Sequence, residues 1–301
     1  MRNLTAFDPS ASPTPFALPR WIKAAPVKTS EDLAFAAGAA LSHLEGALTQ
    51  VPVPMGVLRD RLCFDAAAHV MGLIGRIERV AELRDVLHLA KPGDALGPAG
   101  EICEMFRQAA VQPFTMPRLA RALPGYEAEE IAEILDQGQG APVTQAALVL
   151  AHALGAHPKD EAGALILADV ALARGLGWTR LMPVLGLRLP RRALRMDGAE
   201  LSRACFEAVL RAVPEILRHA SDLTKAAARL HTVAPKLRAK TSDAAVQMIL
   251  ECDGITAARL SDRVLGVGLS DRAARRLCDR LVGLGALREL SGRDTFRIYG
   301  L

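Results

Sequence analysis

The sequence predicts an all-α fold in which a multi-helix bundle is followed by a small C-terminal module. Half of the 301 residues are hydrophobic but only 4% are aromatic, so Ala and Leu must fill most of the core. Both are strong helix formers. Apolar residues recur at steps of three and four along most of the chain, as on one face of a helix. We find no convincing strand before residue 285.

Residues 1–27 are expected to form a proline-rich N-terminal arm, because five prolines in that stretch oppose both helices and sheet ladders. Trp21 and Ile22 are its expected anchors to the body. The N-terminus has no basic segment followed by an apolar one, and the five cysteines are few and scattered. We therefore expect a cytoplasmic protein with reduced cysteines, without a signal peptide or a disulfide framework.

Residues 28–231 are predicted to form the helical bundle, with about ten helices joined by short connections. Ser30 is the expected cap of the first long helix. The apolar spacing predicts one continuous helix over about 57–89. Pro214 is expected to begin a new helix, since proline is favoured at the first helical position.

Residues 232–241 are predicted to be a basic linker, and the charge of the chain divides close to it. Residues 225–301 contain fourteen Lys or Arg and eight Asp or Glu, whereas the first 224 contain 23 and 25. The net charge of +4 therefore combines a slightly acidic body with a basic tail. A basic tail is typical of a segment that meets nucleic acid.

Residues 242–301 predict a winged helix-turn-helix carrying a small two-stranded hairpin. A first helix opens at Ser242, a short helix follows from Ala257, and a glycine-containing turn precedes a third helix that Ser270 can cap. Two alternating stretches then follow on either side of a turn at 291–294. This order of helices and strands is that of a winged helix.

The third helix of this module is the predicted DNA-reading element. At 100° per residue its apolar side chains fall on one side, Arg272 and Arg276 fall on the opposite side, and Arg275 flanks them. Arginine can donate two parallel hydrogen bonds to a guanine edge or a phosphate. We predict that these three contact double-stranded DNA, together with Ser270 at the helix start and Arg293 at the hairpin tip.

A structural or protein-docking role for the same module is the alternative. Arg275 and Arg276 are spaced to pair with Asp279, which would neutralise part of the face. A single module of this kind binds DNA weakly, so we expect either a homodimer on a two-fold site or another protein as partner. The helical body would then dimerise, sense a ligand or contact that protein.

The sequence does not predict an enzyme, a cofactor or a metal site. It contains no nucleotide-binding glycine motif, no zinc motif and no nucleophile in a recognisable setting. No apolar stretch is long enough to span a bilayer, so no membrane partner is expected. Asp169 lies inside the most apolar helix and needs a buried partner, which Arg174, Arg180 or a helix N-terminus can supply. A catalytic acid at this position is the weaker interpretation.

Several stretches resemble an alphaproteobacterial family catalogued as domain of unknown function 1403. They are 92–100 (PGDALGPAG), 167–169 (LAD) with 176–178 (LGW), 271–281 (DRAARRLCDRL) and 288–301 (RELSGRDTFRIYGL). The resemblance covers most of the chain after the proline-rich arm. It implies no activity, cofactor or catalytic residue.

Overall fold

Helices make up most of the chain in the computed structural model, which describes residues 15–24, 29–90, 93–111, 115–237, 242–264, 266–292 and 295–301. The all-α body predicted from the sequence is confirmed. Its helices are α1 (Arg20–Ala24), α2 (Ser30–Gln50), α3 (Met55–Leu73), α4 (Val80–Leu89), α5 (Gly97–Ala109), α6 (Met116–Ala122), α7 (Ala128–Asp136), α8 (Pro142–Ala156), α9 (Glu161–Gly175), α10 (Val184–Arg188) and α11 (Gly198–Val233). Short 3-10 turns occupy Arg191–Arg195 and Ala234–Lys236.

The C-terminal segment, residues 242–301, combines three helices with a small antiparallel sheet. In chain order it contains α12 (Ser242–Glu251), β1 (Ile255–Thr256), α13 (Ala257–Ser261), α14 (Asp271–Gly283), β2 (Arg288–Glu289) and β3 (Ile298–Gly300). The strand order is β1-β3-β2, and Tyr299 of β3 lies opposite Ile255 on one side and Glu289 on the other.

The sheet corrects the expectation of a two-stranded hairpin with no strand before residue 285. β2 and β3 pair as expected, but β1 adds a third strand on the far side of β3. Two residues are too few to show the alternation that identifies a strand from sequence. The strand exists because β3 offers its free edge to Ile255 and Thr256.

The core of the body lies around α9. Every residue from Ala162 to Ala173 is buried in this helix, which packs against α8, α10, α3 and α5. The long helix α11 contacts α2, α8, α10 and α3, and a stripe of buried side chains from Leu201 to Val233 follows it throughout. A helix apolar on all sides belongs in a protein interior, which explains the place of α9.

The helix predicted over 57–89 is divided in two. α3 ends at Leu73 and α4 begins at Val80, and Gly75 between them has a φ of 85°. A left-handed residue ends a helix at low cost when it is glycine. Ile77, which the predicted apolar stripe includes, is 94% exposed. The apolar spacing in the sequence therefore continues across the point where Gly75 ends the helix.

Two predicted helix starts also need correction. The cap of α2 is Thr29 and not Ser30: its side chain accepts from the Asp32 N–H (3.1 Å) while the Asp32 carboxylate accepts from the Thr29 N–H (3.0 Å). Pro214 lies inside α11 instead of starting a helix. The buried stripe of α11 extends on both sides of this proline, so packing offsets its lost hydrogen bond.

The N-terminal arm is described only in part, since residues 1–14 and 25–27 of the predicted 1–27 lie outside the described residues. Ile22 on α1 is buried, in agreement with its expected role as an anchor. Trp21 is half-exposed and lies against the Phe35 ring of α2, with ring centroids 5.6 Å apart. The aromatic contact therefore sits at the surface.

The C-terminal segment approaches the body closely where α12 meets α3. A Cβ atom built on Gly56 of α3 would overlap the backbone carbonyl of Glu251 at the end of α12. Only glycine, which lacks a Cβ atom, allows the Glu251 backbone to come this close to α3. Buried residues of both parts, such as Val57 and Ile249, belong to one hydrophobic cluster.

We predict that Gly56→Ala destabilises the protein by about 1–3 kcal/mol, because the added methyl group must push α12 away from α3. Urea unfolding followed by circular dichroism measures the change. Gly38→Ala is the matched control, since Gly38 is an exposed residue inside α2 with no neighbouring atom within 4 Å of an added Cβ. That control should stabilise by about 0.5–1 kcal/mol; equal effects of both changes would contradict the close approach.

Candidate functional site

The outward face of α14 is open to solvent. Ala274, Cys278 and Leu281 are buried, and Arg272, Arg275 and Arg276 are exposed. The arrangement follows from the apolar spacing of the helix, whose buried side packs on α13 and the remaining core. The structure thus places the three predicted arginines together on one exposed helix.

Ser270 starts this helix as the sequence suggests. Its hydroxyl accepts a hydrogen bond from the Ala273 N–H at 3.3 Å, which satisfies one of the free donors at the helix start. The residue is exposed. The remaining N–H groups of the first turn therefore lie beside the arginines at an accessible helix N-terminus.

The charge of this face is not cancelled within the described part of the chain. There, no ion pair joins Arg272, Arg275 or Arg276 to Asp279 or to any other carboxylate. The pairing that the i,i+3 and i,i+4 spacing allows is thus not formed. Arg280, further along α14, donates to the carbonyl of Lys236 (3.0 Å). Arg259 on the preceding helix, α13, is exposed as well.

Arg293, the predicted contact at the hairpin tip, lies outside the described residues together with Asp294. Two residues beyond the tip, Phe296 is 75% exposed and has a φ of 57°. Arg297 forms an ion pair with Glu289 at 3.9 Å across β2 and β3. The hairpin flanks are therefore placed, and four of the five predicted DNA contacts have a defined position.

Asp253 is the residue that joins the C-terminal segment to the body. It is fully buried, and its carboxylate accepts from Arg61 of α3 at Oδ1 and from Arg84 of α4 at Oδ2, both at 2.7 Å through Nε. Arg61 also donates to the carbonyl oxygen of Leu301 (2.6 Å). Two cations on one buried carboxylate satisfy its charge without leaving an unpaired oxygen.

A second buried carboxylate, that of Asp60, lies beside Asp253. Asp60 of α3 is 3% exposed, forms ion pairs with Arg59 (3.1 Å) and Arg107 (3.8 Å), and accepts from the Asp253 backbone N–H at 3.4 Å. Asp60, Asp253, Arg61 and Arg84 will be called the seam. Through the seam, the Asp253 side of the C-terminal segment packs on the body. The exposed arginines of α14 lie outside this contact.

His88 of α4 borders the seam at Gly254. A Cβ atom on Gly254 would lie 2.8 Å from His88 Nε2, and that nitrogen is buried without a hydrogen-bond partner among the described residues. Burial lowers the pKa of His88, so the neutral ring is favoured there. The ring fills the space that the absent Gly254 side chain leaves.

Sequence reasoning missed the seam because nothing local marks it. Asp253 and Gly254 form a helix stop in the sequence, and Arg61 lies 192 residues earlier. A long-range ion pair leaves no periodic or motif signal in a single sequence. Asp60, Arg61 and Arg84 stand close to other charged residues such as Arg59 and Asp85, so their burial leaves no distinct trace in the sequence.

Asp169 has the helix N-terminus as its partner, one of the three that the sequence allowed. Its Oδ1 accepts from the Leu185 N–H (2.8 Å) and its Oδ2 from the Gly186 N–H (3.0 Å), at the start of α10. Burial raises the pKa of Asp169 to about 8, and the backbone N–H groups oppose that rise. The contact ties α9 to α10, which is a structural role.

Among the described residues, the ligand atoms of Asp65, Glu215 and His219 come close enough together for a metal ion, all within 4.8 Å of one another. These groups already have partners. His219 Nε2 lies 3.1 Å from Asp65 Oδ2, and Arg188 forms an ion pair with Glu215. The nearby guanidinium of Arg188 opposes a cation, so the cluster is better explained as a set of ion pairs among α3, α10 and α11.

Comparison with known proteins places the chain in one family. A family model described as "Protein of unknown function (DUF1403)" matches residues 8–301. No curated protein shows significant sequence similarity to the chain. In the part of the chain that the structure describes, no helix is both long enough and apolar enough to cross a bilayer.

We predict that Asp253→Asn destabilises the protein by about 3–5 kcal/mol, because it leaves Arg61 and Arg84 without their buried counter-charge. Chemical unfolding at neutral pH measures the loss. Asp222→Asn is the control, since Asp222 and Arg218 form an exposed pair at 3.7 Å and such pairs contribute about 0–1 kcal/mol. Similar losses for the two variants would contradict a central role of Asp253.

The dependence of stability on pH tests the raised pKa of Asp169. Its folded pKa of about 8 lies above the unfolded value, so the folded state binds the extra proton and loses relative stability as pH rises toward 8. The free energy of unfolding of the native protein minus that of Asp169→Asn should therefore decrease between pH 5 and pH 8. The slope should not exceed about 1.4 kcal/mol per pH unit, and a difference that stays constant would contradict the shift.

Proposed function

The chain belongs to the DUF1403 family of proteins of unknown function, and we propose that its C-terminal segment is a winged helix that binds double-stranded DNA. The order of elements from α12 to β3, with the sheet order β1-β3-β2, supports this interpretation. α13, the following turn and α14 make the helix-turn-helix, and β2 and β3 flank the wing.

One observation carries the proposal: the exposed arginines of α14 have no carboxylate partner among the described residues. Arginines on a protein surface can form ion pairs with acidic neighbours, and each such pair contributes little stability. Here Arg272, Arg275 and Arg276 are left available while the body contacts the segment at Asp253. A cationic helix face that the rest of the chain leaves uncovered suits a polyanion.

The mechanism follows from the geometry of such a helix in the major groove. α14 would lie in the groove with its N-terminal half against the bases, where Arg272, Arg275 and Arg276 are. Each guanidinium can donate two hydrogen bonds to a guanine edge or to phosphate oxygens. Ser270 and the free N–H groups of the first turn would meet a phosphate, and Arg293 would steady the wing.

A protein-docking role is the second candidate, and exposed apolar side chains near α14 favour it. Val282 and Leu284 at its C-terminal end are 37% and 42% exposed, and Val264 before the helix is 89% exposed. Apolar groups of this size contribute more to a protein interface than to a phosphate backbone. A second copy of the chain, needed for a two-fold DNA site, would also satisfy them.

Fluorescence anisotropy with duplexes drawn from the genome of the source organism tests the proposal. We expect binding that weakens as salt rises from 50 to 200 mM, because phosphate contacts release counterions. Arg276→Ala should lower the affinity and, where it reads a base, should remove about 1–3 kcal/mol of discrimination.

Arg203→Ala is the matched control, since it removes the same charge from α11, far along the chain from α14. It should change the affinity little. A folded protein that binds no duplex at low salt would rule out the DNA proposal and leave docking as the function of the segment. Equal losses for the two variants would show that net charge, and not the α14 face, drives binding.

A further inference from the structure

An open cavity of about 580 Å³ lies between the helical body and the C-terminal segment. Its walls come from α3, α4 and α11 on one side and from β2 and Leu301 on the other. Cavities that hold small molecules in proteins span about 300–1,000 Å³ and often occur between parts of a fold. The volume is thus sufficient for a metabolite, and none of the four described residues predicted to contact DNA lines it.

The lining is rich in cations. Six basic side chains face the cavity, and three carboxylates accompany them. The basic side chains are Arg61, Arg84, Arg218, Lys225, Arg229 and Arg288. Arginine and lysine at this density in one cavity are typical of sites for phosphate groups.

Most of these charges already have partners. Arg61 and Arg84 hold Asp253 beneath the cavity, Arg218 pairs with Asp222 (3.7 Å), and Arg288 donates to the Leu301 carbonyl oxygen (3.1 Å). The carboxylates are similarly engaged, since Asp65 lies against His219 and Glu289 against Arg297.

Lys225 and Arg229 differ from the rest. Within the described ranges neither forms an ion pair, although they lie four residues apart on one face of α11 and both line the cavity. Lys225 and Arg229 thus contribute two positive charges that no carboxylate of the described ranges pairs with. The cavity therefore favours a ligand that brings about two negative charges, which is the charge of a phosphate group near neutral pH.

We propose that this cavity binds a phosphorylated small molecule whose phosphate is held by Lys225 and Arg229. Arg288 from β2 and the guanidinium groups of the seam surround the same space, so a bound phosphate would contact both the body and the C-terminal segment. A single phosphate occupies only a small part of the volume. The remainder is available for a second phosphate or for the organic part of the ligand. The proposal does not depend on DNA binding.

Isothermal titration calorimetry on the full chain, at constant ionic strength, tests this assignment with pyrophosphate and ADP as probes. We expect saturable binding of at least one of them. Tighter binding of ADP than of pyrophosphate would assign the site to an organic phosphate, and equal or weaker binding of ADP would assign it to the free diphosphate. A chain that binds neither probe at millimolar concentration would overturn the proposal.

A pair of double variants separates the cavity from general electrostatics. Lys225→Gln with Arg229→Gln should weaken binding at least tenfold, while Arg203→Gln with Arg211→Gln should leave it unchanged. Both pairs lie on α11 and remove the same charge, and Arg203 and Arg211 flank Glu207 outside the cavity. Unfolding midpoints close to that of the native chain would show that both double variants are folded.

Equal binding by the two double variants, whether retained or lost, would overturn the assignment. The DNA assay with Arg276→Ala reads a different face of the molecule. Failure of one proposal is therefore distinguishable from failure of the other. A loss of DNA affinity in the Lys225 and Arg229 variant with unchanged phosphate binding would identify these residues as a DNA contact and would contradict the phosphate site.

Discussion

The buried carboxylate of Asp253 with its two arginines is the interaction on which the arrangement of the molecule depends. The Arg61 and Arg84 side chains come from two different helices of the body, and one residue of the C-terminal segment neutralises both. A buried ion pair costs desolvation and seldom adds much stability, but it tolerates few alternative partners. Its effect here is to fix one orientation: the Asp253 side of the segment faces the body, and the α14 arginines face solvent.

The two arginines of the seam also line the cavity of about 580 Å³. Arg61 and Arg84 contribute both to the contact with Asp253 and to the lining beside α11. A ligand in that cavity would therefore lie against the groups that join the two parts of the chain. Binding that favours one arrangement of the parts over another is the physical basis of coupling between sites, and this cavity is placed where such coupling can arise.

The sequence predicted what periodicity and local chemistry control. The bundle, the cap at Ser270 and the arginine face of α14 all follow from spacing within about fifteen residues. The break at Gly75 was missed because the apolar spacing continues across it, although a glycine can end a helix there. The passage of α11 through Pro214 was missed because tertiary packing overrode local preference. Asp253 and β1 were missed for a related reason: their partners are distant in the chain, and one sequence contains no record of such pairing.

Folding order is a consequence of the separation between Asp253 and Arg61. Their hydrogen bond spans 192 residues, and the contact of Arg61 with Leu301 spans 240. A chain made from its N-terminus completes α3 and α4 long before either partner exists, so the body must form with Arg61 and Arg84 still hydrated. Contacts of this length close slowly because the entropy of a large loop is lost first. Docking of the C-terminal segment is thus expected as the last step of folding, and it withdraws the two arginines from water at the moment the molecule is complete.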